Sequence, residues 1–241
     1  MLRQLDTEIE YMRRNTDGLV VDVMRNPGGS VCLTNEVLRR FLPYQFRTIG
    51  DEFRPTWETV QQFRYDLEDG IDFGATDFEI YLLAAWLDNI ETAYYENRGR
   101  TGQIPACGFS VDIQPLRDTS GNPWGYDKAM IVLIDEFSTS SADVFPAIIQ
   151  DAGRALLVGR ATAGGGGLSM GKTLGLYSET MASLSITLGV RPVERNVPGL
   201  PPSSYIENIG AHPEIDLDIM TEENLLNKGK PFVDGFTRAI I

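Results

Sequence analysis

The residues best placed to do chemistry are Ser138, Thr139, Ser140 and Ser141, which follow the apolar run Met130 to Ile134 and open a segment with Val144, Phe145, Ile148 and Ile149 at helical spacing. So short a run of branched apolar residues reads as a strand buried on both faces, and Ala155 to Val158 reads as a second. A hydroxyl at such a strand–helix junction sits beside unpaired helix amides and the positive end of the helix dipole. Both favour the oxyanion that forms when serine attacks a carbonyl. The same hydroxyls also suit simple helix capping. A second segment narrows the choice: the apolar strand Leu19 to Met24 ends in Asn26-Pro27-Gly28-Gly29. Paired glycines after a strand let backbone amides face outward with no side chain in the way, although alone they also make an ordinary tight turn.

These residues must be carried by a layered arrangement, and strand and helix alternate along the chain in the order of an α/β fold. A charged amphipathic helix near Leu2 to Asn15 leads into the Gly18 strand, and Thr34 to Leu42 forms a short helix ended by Pro43. Residues 44–127 read as a helical insertion that shapes a substrate cleft or a subunit contact. In it, Pro55 is expected to start one helix by fixing the first-turn dihedral, and Ile80, Leu83, Leu87, Ile90 and Tyr94 mark the apolar face of another. Trp57 and Trp86 are expected in its core. Past the glycines at 164–167, Ser183 to Val190 alternates Leu184, Ile186 and Leu188 with polar or small residues, as a half-exposed strand does. Pro192, Pro198, Pro201 and Pro202 then mark the loop that delivers the chain to Glu207.

Taken together, the N-P-G-G turn and the Ser138-x-Ser140-x-x-Asp143 junction resemble the tail-specific (C-terminal processing) serine protease superfamily. Gln150-Asp151-Ala152-Gly153-Arg154-Ala155 is similar to that family's Q-D-x-G-R-A, and Val158-Gly159 followed by Thr162-Ala163-Gly164 to its V-G-x-x-T-x-G. Ile206-Glu207-Asn208-Ile209-Gly210 with Pro213-Glu214-Ile215 matches its E-N-x-G-x-x-P-[DE]-I. These motifs stand in the family's order and cover less than half of the chain. The resemblance implies an α/β fold of the crotonase-like or ClpP-like kind, a superhelix of ββα units, forming a single catalytic domain over residues 1–241. It puts Ser140 at the nucleophile position, Ser141 and either Gly28 or Gly29 at the oxyanion-hole amides, and Glu207 at the carboxylate that orients a base. A polypeptide substrate, a possible homo-oligomer, a secreted or periplasmic location, and no metal or organic cofactor follow from the same likeness.

The commonest branch of the superfamily uses a lysine in the glycine-rich turn after the V-G strand, where this chain has Gly164, Gly165, Gly166 and Gly167. The pattern is nearer to the branches that use serine, histidine and glutamate, in which an imidazole takes the serine proton and a carboxylate orients it. His212 is the single histidine and falls at a variable position of the E-N-x-G motif, so it reads as an ordinary exposed residue. In the histidine-using branches the base lies upstream of N-P-G-G. The chain is therefore expected to be the C-terminal catalytic half of a larger protein, inactive by itself, with the histidine in the upstream part.

Composition bounds the alternatives. The 241 residues are 42% apolar and 23% charged, values ordinary for one α/β domain, and no apolar run reaches membrane-spanning length. A net charge of −13 argues against nonspecific binding to nucleic acid or to anionic lipid. Cys32 and Cys107 are too few for a disulfide framework and lack metal-ligand spacing, and their pairing is open. Gly166 to Thr173, GGLSMGKT, fits a P-loop pattern, but Leu174-Gly175-Leu176-Tyr177 is a poor helix start and the acidic strand end Asp135-Glu136 precedes the loop instead of following it. Lys172 reads as a solvated lysine rather than a displaced base. A non-catalytic binding protein on the same scaffold is the remaining alternative.

Overall fold

The computed structural model describes residues 1–173, 175 and 179–240. The first half runs α1 (Leu2–Asn15), β1 (Gly18–Asp22), α2 (Val31–Phe41), β2 (Phe46–Arg47), β3 (Gly50–Phe53), α3 (Trp57–Asp72), α4 (Asp77–Tyr95), β4 (Ile104–Pro105), β5 (Asp112–Ile113), β6 (Leu116–Arg117) and β7 (Pro123–Trp124). The second runs β8 (Ala129–Ile134), α5 (Ser141–Asp151), β9 (Leu156–Gly159), β10 (Ser169–Thr173), β11 (Met181–Ser185), β12 (Thr187–Arg195), β13 (Ser203–Tyr205), β14 (Ile215–Asp216), α6 (Glu222–Leu226) and α7 (Lys230–Ile240). Two compact units emerge: Met1–Ile49, Asp112–Gly166 and Arg191–Ile241 form one, Gly50–Val111 and Gly167–Val190 the other.

The first unit is built on a parallel sheet in the order β1-β8-β9-β14. Met130 to Ile134 are buried without exception, the pattern of a central strand covered on both faces. On one face Ile131, Leu133 and Val158 cluster with Phe232 of α7, and Phe236 and Ile240 pack at the margin. Helix α5 is buried from Ser141 through Ile149, and its Phe145 ring meets Phe41 of α2 edge-on at 5.8 Å. The expected strands and helices are all present here, displaced by one to three residues at their ends. Helix α2 starts at Val31 rather than Thr34, because Ser30 Oγ accepts the Leu33 amide and caps it three residues earlier.

In the second unit α3 and α4 pack together over a core of Phe53, Val60, Phe63, Ile90 and Ile104, with Leu83, Trp86, Leu87 and Tyr94 against it. Four of the five residues expected on the apolar face of α4 are therefore in or against this core. Strand β3 lies antiparallel to both β4 and β12, and β10 pairs antiparallel with β11. Within residues 44–127 only α3 and α4 are helices; the rest of the regular structure is short strands. Helix α3 does not begin at Pro55: Thr56 Oγ1 accepts the Thr59 amide, which makes Thr56 the cap and leaves Pro55 outside the helix. Trp57 is 46% exposed, its ring covered instead by the Arg64 guanidinium at 5.8 Å, so only Trp86 packs in the core as expected.

The expected strand over 183–190 also differs. It breaks at Ile186 into β11 and β12, and β12 buries Thr187, Gly189 and Arg191 rather than Leu188. Polar pairing drives this choice of face. Thr187 Oγ1 donates to Asp51 Oδ1 at 2.9 Å and accepts the Leu168 amide at 2.7 Å. Farther along, Arg191 pairs with the buried Asp151 at 2.7 Å. Pro192 lies within β12, beyond the last residue paired to β3 (Val190 with Gly50), where no ladder amide to that strand is needed. Ser169–Thr173 is a strand, the opposite of the helix start a P-loop demands; Leu174, Leu176 and Tyr177 lie outside the described residues.

Candidate active site

The serine junction is shaped by the end of β8. Asp135 is buried, and its Oδ1 accepts the Phe137 amide, the Ser138 hydroxyl and, from the neighbouring turn, the Arg25 amide at 2.8 Å. Ser138 also reaches the Val23 carbonyl at 2.8 Å, and the Thr139 amide donates to the Asn26 carbonyl at 3.0 Å. One carboxylate and two backbone groups thus lash the loop after β8 to the turn after β1. The two strands are adjacent and in register, Asp22 opposite Leu133, so both turns leave the same end of the sheet.

At the centre stands Ser140, the N-cap of α5, with φ 59° and ψ −124°. A positive φ at a β-substituted residue costs on the order of 1–3 kcal/mol and persists only where its surroundings enforce it. Its hydroxyl makes no capping bond, which sets aside the capping explanation for this serine. A strained serine at a strand–turn–helix junction is the arrangement of nucleophile elbows. Asp143 and Val144 donate to the Ser140 carbonyl, and Ala142 to that of Thr139. Among the described residues the Ser141 amide, at the positive end of the α5 dipole, has no protein acceptor.

The two glycines of the turn differ. Gly28 has φ 91°, and a methyl group there would lie 2.6 Å from Ser140 Cβ and from Thr139 O and 2.8 Å from the Ser141 amide nitrogen. Its own amide is taken by Asn26 Oδ1 at 2.8 Å. Gly29 has open space around it, and its carbonyl accepts the Ser141 hydroxyl at 2.6 Å. Among the described residues its amide donates to no protein acceptor. Beside this turn lies a cavity of about 380 Å³, walled by Leu33, Val37, Phe41, Ala142 and Phe145.

Glu207 lies in a tight turn closed by the amides of Ile209 and Gly210 on the Ile206 carbonyl. The glycine loop joins this turn to the serine junction. Gly164 accepts the Asn208 amide at 2.9 Å, while the amides of Gly164 and Gly165 donate to Asp143 at 2.8 and 3.0 Å, and Ala163 donates to Ser138. Ser140, Ser141, Gly28 and Gly29 are therefore in mutual contact or one hydrogen bond apart, and Glu207 is attached to the same cluster through the glycines. His212 is not the exposed residue expected: it is partly buried, because it folds back on its own turn with Nε2 2.9 Å from the Ile209 carbonyl. The backbone of Lys172 is in β10; its side chain lies outside the described residues. Neither Cys32 nor Cys107 is a free thiol. Among the described residues no group of histidine, cysteine and carboxylate side chains could hold a metal ion, and no helix is long and apolar enough to cross a membrane.

Residue type and motif position alone assign Asn26, Asp135 and Asp143 no part in a serine site. The last stands at the acidic position of the S-x-S-x-x-[DE] pattern, a signal that was present but says nothing of what the carboxylate holds.

A parallel sheet that ends one strand in a strained serine at a helix N-terminus, and its neighbour in paired glycines with a free amide, has the layout of an α/β serine hydrolase. The chain belongs to peptidase family S41, whose family model matches residues 2–203. This is the tail-specific protease superfamily that the motifs resemble. A Chlamydia pneumoniae protein is 26% identical over 97% of the chain and 38% of its own length, and a Chlamydia muridarum protein is 30% identical over 87% of the chain and 35% of its own. The chain thus spans a little over a third of the length of these curated relatives. Among solved structures, mature CPAF complexed with lactacystin superposes with a TM-score of 0.74 at 25% identity, covering 97% of this chain and 45% of that one. The photosystem II D1 C-terminal processing protease shares the fold at TM-score 0.50 and 15% identity, over 95% of this chain and 42% of its own. The mixed α/β architecture with a parallel sheet is that of the S41 proteases.

Proposed function

We propose that residues 1–241 are the nucleophile-bearing part of a serine endopeptidase. Ser140 Oγ attacks the carbonyl carbon of a peptide bond as a histidine outside these residues takes its proton. The amides of Ser141 and Gly29 receive the oxyanion, each such donor being worth on the order of 10²–10³ in turnover in working enzymes. The same imidazole then protonates the departing amine, and water releases the acyl group from Ser140 by the reverse sequence. Glu207 orients the imidazole and offsets its charge. Gly28 is the surface against which Ser140 is pressed rather than a donor, because its amide is already bonded to Asn26. The neighbouring apolar cavity receives a substrate side chain. No cofactor enters this scheme, and the finer description of the fold as a crotonase-like or ClpP-like superhelix goes with it, supported by the βαβ passage β8-α5-β9 in a parallel sheet.

The observation that carries the reading is the strained, uncapped Ser140 held against Gly28 beside two unclaimed amides. The test uses the full-length gene product containing these residues, assayed on casein and labelled with a fluorophosphonate, alongside its Ser140→Ala variant. Casein cleavage and labelling that both vanish in the variant support the peptidase. A parent that neither cleaves nor labels refutes it and leaves the binding-protein alternative; cleavage that survives Ser140→Ala refutes the assignment of Ser140. Residues 1–241 alone should be silent.

A further inference from the structure

We infer that Asp143 is a positioning residue, which sets the Glu207 turn relative to the nucleophile; this rests on the peptidase reading above. Asp143 is fully buried, three residues beyond Ser140 in the first turn of α5. A buried carboxylate is costly unless its oxygens are satisfied, and here each accepts one of two successive backbone amides, Gly164 on Oδ1 and Gly165 on Oδ2. The Asp143 amide meanwhile donates to the Ser140 carbonyl at 2.8 Å. One residue therefore grips the nucleophile through its backbone and the glycine loop through its side chain.

The loop transmits that grip because it has no slack. Gly164 sits at φ 73°, and a methyl there would lie 2.9–3.0 Å from the amides of Asn208, Ile209 and Gly210, while its carbonyl holds the Asn208 amide. A methyl on Gly165 would meet Thr139 Oγ1 at 2.8 Å. The path from Ser140 to the residue after Glu207 thus crosses three hydrogen bonds and no rotatable side chain other than Asp143. Asparagine cannot replace it, because its amide group would turn a donor toward one of the two glycine N–H groups. Active-site carboxylates must be held within roughly 0.5 Å, and a 1 Å misplacement costs on the order of 10²-fold.

Two measurements test this. In residues 1–241, Asp143→Asn should speed amide hydrogen exchange at Gly164, Gly165 and also Asn208 by tenfold or more, with Val132 and Leu133 in β8 keeping their protection. An unchanged Asn208 overturns the linkage, as does an equal loss in β8, which would mean general destabilisation. Gly164→Ala, which leaves the carboxylate intact and pushes on the turn, should reproduce the change at Asn208. In the full-length protein, Asp143→Asn should lower kcat about 10–100-fold with KM within twofold, and the double variant with Glu207→Gln should be no slower than Glu207→Gln alone by more than about twofold. Losses that multiply, or a change in KM instead of kcat, refute positioning through Glu207. Activity that survives Ser140→Ala sinks the peptidase reading itself, whatever Asp143 does.

Discussion

Replacing each glycine of the turn by alanine asks whether Gly28 and Gly29 do different jobs. At Gly28 the added methyl would approach Thr139 O and Ser141 N at 2.6 and 2.8 Å, both backbone atoms that cannot rotate aside, and Ser140 Cβ at 2.6 Å. The residue would also keep φ near 91°, a conformation that costs an L-residue on the order of 1–3 kcal/mol. Overpacking against a fixed wall adds about 1–3 kcal/mol. The sum is about 2–6 kcal/mol, or roughly 4–24 °C in Tm at the 2–4 °C per kcal/mol typical of a chain this size. Gly29→Ala meets no atom within 4 Å and needs no positive φ, so it should change stability by less than about 0.5 kcal/mol and keep its backbone donor. Paired thermal melts of residues 1–241 give the stabilities, and fluorophosphonate labelling of the full-length protein reports Ser140. Gly28→Ala should melt early and label at least tenfold more slowly; Gly29→Ala should match the parent in both. Equal effects from the two substitutions would refute the argument that Gly28 is the contact surface and Gly29 the donor.

Three further outcomes are expected. Ser140→Gly should abolish labelling yet stabilise residues 1–241 by about 1 kcal/mol, because the strain at φ 59° is relieved; a melt lower than the parent's counts against stored strain. Thr187→Val strips the Leu168 amide of its acceptor and Asp51 of a donor, and should lower stability by about 1–3 kcal/mol in urea titration, whereas Leu188→Ala on the less buried face should cost less. Glu79 closes the capping box of α4, and its hydrogen bonds to the side chain and backbone of Thr76 hold its carboxyl below the usual range. A depressed folded-state pKa means that the box stabilises above the unfolded glutamate pKa and fades as pH falls through the folded value, so Glu79→Gln should flatten that part of the acid-side stability curve. An unaltered curve would remove Glu79 from the account.

How much of this was legible in the chain depends on the range over which each feature is decided. The β8 strand, the serine junction and the N-P-G-G turn are local, written in runs of branched residues and glycines, and they fold where the pattern puts them. The inward face of β12 is not local: Thr187 turns inward for Asp51, 136 residues away, and Arg191 for Asp151, 40 away. Binary patterning, which counts threonine and arginine as polar and outward, has no access to such partners, and so it assigned the wrong face. The candidate site divides in the same way. Ser140 and the glycine pair are visible as residue types in motif order, but Gly28 and Gly29 are chemically identical letters. What separates them is the Asn26 side chain folding back on one amide and Ser140 pressing on one α-carbon. Asp143 likewise becomes intelligible only when the amides of Gly164 and Gly165 are seen to converge on it. Of the four glycines that stand where the lysine-using branch is expected to carry its base, Gly164 and Gly165 let the backbone come close enough to bind that carboxylate, and Gly164 links it to the Glu207 turn. On the peptidase reading proposed above, an imidazole from outside these residues completes a site whose backbone is already clamped.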